Sequence, residues 1–138
     1  MPDIMTNRID DQLSIQRAAL GVLTYRQELL ASNIANADTP HFKARDIDFR
    51  EALAGAVAGR KDASLGLSVT ARGHLGGSME SKQAASARYR TEFQPSIDGN
   101  TVNMDIERAA FAENALRLEA ALSFINGSFK SQQLALSQ

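Results

Sequence analysis

QRAALGVLTYRQELLASNIANADTP, residues 16 to 40, reads as a long amphipathic helix followed by a firm stop. Extended toward the N-terminus, the apolar positions Ile9, Leu13, Leu20, Leu23, Leu30 and Ile34, with Gln16 and Gln27 among them, recur in steps of four and three. That is the spacing of a coiled-coil seam. Gly21 lies within it and costs roughly 1 kcal/mol relative to Ala, so the segment is not strongly helical alone. Pro40 has no N–H and drives Thr39 out of the helical region, while Asn36 and Asp38 favour turns by bonding their own backbone. The helix is therefore predicted over 8–36.

A second run answers the first near the other end of the 138 residues. Phe111, Ala115, Leu118, Leu122, Ile125, Phe129, Gln132 and Leu136 keep the same four-three spacing and are expected to face the N-terminal seam. Asn103 is the expected N-cap, and Asp105 and Glu107 put negative charge where the helix dipole favours it. Asp98-Gly99-Asn100 supplies the preceding turn, which predicts a helix over 103–136.

Glycines crowd positions 55 to 77, so the middle reads as loop-rich. LSVTA (67–71) and ARYRTEF (87–93) have the β-branched and aromatic content of short strands that could pair with each other. DIDFREAL (46–53) predicts a short helix, with Asp48 and Glu51 at capping-box spacing. The expectation is one mainly α-helical domain over 1–138: two long helices paired as a coiled coil, and a segment over 37–102 holding a short helix and short strands. Apolar heptads fit a compact bundle core as well as a seam between molecules. Their terminal placement, with no third long helix between, favours helices that need neighbours from other chains.

Composition narrows function. Acidic and basic residues number 16 and 15, interspersed, which argues against nucleic acid or an anionic membrane as partner. There is no cysteine, so disulfides, thiolate catalysis and Cys-type zinc sites are out. MPDIMTNRIDDQ lacks the basic start and apolar run of a cleaved secretory signal. His41 and His74 stand apart without metal-ligand spacing, and are read as exposed loop residues. Nucleophile elbows and phosphate-binding loops have no match. Asp46, Asp48 and Glu51 could in principle serve a metal-dependent hydrolase, but helix-start roles account for them more simply. No catalytic residue, cofactor, metal or small-molecule substrate is expected; a soluble coiled-coil adaptor is the other alternative.

ASNIANADTP followed by HFKARDIDF, together with DGNTVNMDIERAAFAENALRLEAAL, resembles the bacterial flagellar rod and hook family, and within it the proximal-rod members. The resemblance covers 10–53 and 95–130 and hardly touches the middle. It implies a structural subunit whose terminal helices assemble helically with copies of itself and other rod subunits into a torque-transmitting axle in the periplasm. It also implies ring and rod-adaptor components as neighbours, and export through the flagellar type III apparatus without a cleaved signal. Phe49 and Leu53 are similar to the family's export-gate motif, with packing of a short helix as the alternative. His41 stands where the family usually has glycine, and Leu118 where an aromatic is usual. A positive φ at that glycine position would strain His41.

The stretch at 31–40 is then expected to be a rigid elbow. Asn33 and Asn36 bond backbone of adjacent segments, Thr39 and Pro40 set the exit, and Phe42 anchors the next segment on the helix pair.

Overall fold

The computed structural model describes residues 3–61, 87–90 and 96–137, with side chains from 11 to 58 in the first segment. Its elements are helix α1 (Asp3–Ala35), strand β1 (Arg45–Asp46), helix α2 (Phe49–Lys61), strand β2 (Arg88–Tyr89) and helix α3 (Met104–Leu136). The chain is mainly helical, and its two long terminal helices pack antiparallel. Asn33 near the end of α1 meets Glu107 at the start of α3, and Leu13 lies beside Phe129.

Each helix end has a local cause. At the end of α1 the Asn36 Nδ2 donates to the Ser32 carbonyl at 2.8 Å, satisfying one of the orphan acceptors of the last turn. At α2 the Asp48 carboxylate accepts from the Glu51 N–H at 3.0 Å. Glu51 does not complete a capping box; its side chain turns outward to Arg88 at 2.6 Å. At α3 the Asn103 side chain accepts from the N–H groups of Asp105 and Ile106.

One expectation for the middle is corrected. The short helix starts at 49, just past its expected Asp48 cap, but runs on beyond 53 through ALAGAVAG to Lys61, because the alanines favour helix enough to carry Gly55 and Gly59. Arg88–Tyr89 pairs antiparallel with Arg45–Asp46, Arg45 opposite Tyr89. The 67–71 segment lies outside the described residues, as do Thr91 to Phe93.

The seam between α1 and α3 also differs. On α1, Leu23 and Leu30 are buried and Leu13, Leu20 and Ile34 half-buried, while the side chain of Ile9 falls outside the described set. On α3, Phe111, Leu118, Ile125 and Gln132 are half-buried as the heptad predicts. The alternating positions are instead Glu107, Asn114, Ala121 and Ser128. Ala115, Leu122 and Leu136, predicted to face α1, are exposed, while Phe129, also exposed, still borders a groove with Leu13 and Leu20 of α1. The physical reason is polar: Asn114 and Glu107 find partners against α1 and turn the helix toward them.

A second apolar cluster lies on another side of α1, where Val22 and Leu29 pack with Ile47 and Ala52, flanked by Tyr25, Phe49 and Ala56. Val22 and Leu30 are fully buried, worth about 1.5–3 kcal/mol each. α1 is thus held on two sides at its C-terminal half.

Candidate functional site

The elbow is built by a turn some sixty residues later in the chain. Asn100, just ahead of α3, aims its Nδ2 at the carbonyls of Asn36, Ala37 and Thr39, at 3.0, 2.8 and 2.8 Å. Its Oδ1 accepts from the Val102 N–H at 2.8 Å. One buried amide therefore clamps three carbonyls of the helix stop to the approach of α3. The Thr101 N–H donates to the Phe42 carbonyl at 3.0 Å, and the Thr101 hydroxyl accepts from the Ala44 N–H at 2.8 Å. His41 adopts φ 60°, the left-handed region, and its N–H donates to the Asp98 carbonyl at 3.0 Å. Gly99 opposite has φ 74°, and a Cβ there would sit 3.0 Å from the His41 ring nitrogen.

Within the elbow motif, Asn33 is buried, Asn36 and Phe42 half-buried, and Thr39 and Pro40 exposed. Asn33 exchanges two bonds with Arg45, its Oδ1 accepting from the N–H at 3.1 Å and its Nδ2 donating to the carbonyl at 2.7 Å. The same Nδ2 donates to Glu107 at 3.1 Å. Thr39 donates to the Asn36 side chain at 3.1 Å.

From Asn33 a charged network spreads across the joint. Glu107, only 1% exposed, accepts from Arg90 at 2.8 Å. Arg90 also donates to Asp46 at 2.6 Å, and Arg26 binds Asp46 in two-pronged fashion at 2.9 and 3.1 Å. Burial pushes the Asp46 pKa up, but the bonds from Arg26, Arg90 and the Ile47 N–H outweigh it and hold the carboxyl below its usual range. The bond to Asp46 in turn raises the Arg26 pKa. Four segments, α1, β1, the residue following β2, and α3, are tied by charge-assisted bonds at one point.

The carboxylates that could have served a hydrolase are therefore occupied. Asp46 sits between two guanidiniums, Asp48 caps α2, and Glu51 pairs with Arg88. No group of His, Asp and Glu among the described residues could hold a metal ion. Nor is any helix among them long and apolar enough to cross a membrane.

The outside of α3 is apolar on more than one side. Leu116, Leu122, Phe124, Phe129 and Leu134 are exposed, and at about 100° per residue they point in at least three directions. Between the distal ends of α1 and α3 runs a shallow groove of about 180 Å³ lined by Leu13, Arg17, Leu20, Ile125 and Phe129. Phe49 is half-buried against the Val22 cluster, and Leu53 beside it is also half-buried.

The family model of the flagella basal body rod protein matches residues 13–43, the seam of α1 and the elbow. Over 134 residues the chain is 42% identical to flagellar basal body rod protein FlgB of Salmonella typhimurium, spanning 96% of this chain and 97% of that one. The chain belongs to the FlgB family of flagellar basal body rod proteins. FlgB of Escherichia coli is 41% identical over the same shares, and FlgB of Cereibacter sphaeroides 43% identical over 84% of this chain and 86% of that one. A hydrolase and a soluble adaptor are accordingly not favoured.

Several residues that build the joint of this FlgB-family chain escaped the sequence. Asn100 reads there only as a turn residue, Glu107 only as a dipole partner, and Arg90 only as part of a strand. Arg26 and Asn114 lie on helices where polar residues are expected to face water. One signal was available: Asn114 follows Glu107 by a heptad, and both fall one residue off the apolar stripe.

Proposed function

We propose that this chain is a structural, non-catalytic subunit of the proximal part of the flagellar basal-body rod. Its terminal helices pack with those of sister copies and of other rod subunits into a helical assembly. The observation that carries this is the unpartnered apolar surface of α3. A helix that leaves large apolar side chains exposed on more than one side gains by burying them against neighbours. Covering Leu116, Leu122, Phe124, Phe129 and Leu134 yields on the order of 10 kcal/mol gross, against which subunit ordering is set.

The elbow network suits a torque-bearing part, because charge-assisted bonds across four segments resist bending at the joint. Family membership supports a place in the periplasmic rod, reached by flagellar type III export without a cleaved signal. It also supports ring and rod-adaptor components at the proximal end as neighbours, with Phe49 and Leu53 read by the export apparatus during secretion. Deletion of the gene, followed by a motility assay and microscopy of basal bodies, tests the assignment. Loss of swimming with truncated rods is expected; normal swimming overturns it.

A further inference from the structure

α3 carries two interleaved seams that share Phe111, Leu118, Ile125 and Gln132. One is completed by Ala115, Leu122, Phe129 and Leu136, the other by Glu107, Asn114, Ala121 and Ser128. Rotating α3 by roughly 50° about its axis exchanges them. Burial of apolar surface alone favours the first set, since Leu and Phe would replace Ala and Ser at the contact. The fold adopts the second.

We infer that Asn114 and Glu107 set the rotation of α3, and so hold its greasier stripe on the outside of the chain. Asn114 is fully buried; its Nδ2 donates to the Leu23 carbonyl at 2.9 Å and to the Gln27 side chain at 2.6 Å. Seven residues earlier, Glu107 is tied to Asn33 and Arg90. Turning α3 toward its apolar seam would pull both side chains off these partners and take one buried acceptor each from Arg90 and Asn33. A polar residue at a seam position trades stability for a single arrangement. Asn114 also bears that cost, since its Oδ1 has no partner among the described residues. The consequence rests on the subunit role proposed above: Ala115 and Leu122 are kept for a neighbouring rod subunit instead of being spent within the chain.

The chain has no cysteine, so single thiols report on helix rotation directly. Ala110, half-buried, lies about one turn before Asn114, and Ala115, exposed, directly follows it, about 100° further round the helix. In the otherwise native monomer, a thiol probe should modify A115C at least about tenfold faster than A110C. Adding Asn114→Leu or Asn114→Ala should bring the two rates within about threefold, or invert them, with helix content by circular dichroism retained. An unchanged ratio in both variants overturns the inference. So does loss of helical structure in both, because a residue that selects between two packings is not required for either. Rod assembly plays no part in this measurement, so its failure leaves the subunit assignment to the deletion phenotype.

Discussion

Arg90 donates to Glu107 at 2.8 Å and, with its other terminal nitrogen, to Asp46 at 2.6 Å, joining the start of α3 to the strand beyond the elbow. Glu107 is almost fully buried, and Arg90 keeps only about a quarter of its surface. Replacing Glu107 by Ala leaves Arg90 and Asn33 without one buried acceptor each. The expected loss is about 2–4 kcal/mol, less than for an isolated buried pair because Asp46 still holds Arg90. Urea denaturation followed by circular dichroism measures it; a change under about 0.5 kcal/mol would show that the network is passive.

Asp46 gives this joint a defined response to acid. Its pKa in the fold is depressed, so the folded state binds its proton less readily than the unfolded chain does. The stability it contributes is therefore fully present above the ordinary carboxylate pKa of about 4, and is lost as pH falls through the lower folded value. Asp46→Asn should lower stability at neutral pH and flatten the decline below about pH 4. Thermal denaturation at stepped pH checks both; an equal slope in the two proteins would remove Asp46 from the acid response.

His41 and Gly99 form a second testable pair. His41→Gly relieves a left-handed residue and should stabilise by up to about 1 kcal/mol. Gly99→Ala should destabilise by about 1–2 kcal/mol, since φ 74° disfavours a side chain and the new Cβ meets the His41 ring. In the double variant part of that loss should disappear. Strict additivity of the two changes would mean that the close approach costs nothing.

Stability should be uneven along the helix pair. Residues 22–35 and 104–114 are tied by the network, by Asn100 and by the Val22 cluster, whereas α3 beyond Leu118 is mostly exposed. Amide exchange on the monomer should show protection there and fast exchange over 120–136. Uniform protection to the end of α3 would show that the distal pair holds without neighbours.

Phe124, 72% exposed, separates folding from assembly. Phe124→Ser should alter monomer stability by no more than about 0.5 kcal/mol. It should nonetheless impair motility when it replaces the native chain in cells. Unimpaired swimming would take Phe124 out of the assembly surface.

The two terminal helices, the caps of α2 at Asp48 and of α3 at Asn103, and the stop between Asn36 and Pro40 were all legible in the sequence. These features arise from near-neighbour physics: side-chain spacing of three and four, cap hydrogen bonds over two or three residues, and the missing N–H of proline. The strain at His41 was implied by the family resemblance, which has glycine there, because the left-handed region discriminates against a side chain. What tertiary structure alone decided was which face of α3 turns inward and what clamps the elbow. Glu107 meets Asn33 from 74 positions away and Asn114 meets Leu23 from 91, and a heptad count cannot register such encounters. Apolar periodicity proposes the greasiest face for burial; a buried amide or carboxylate overrules it when its partners wait on the other helix, and only the folded chain brings them there.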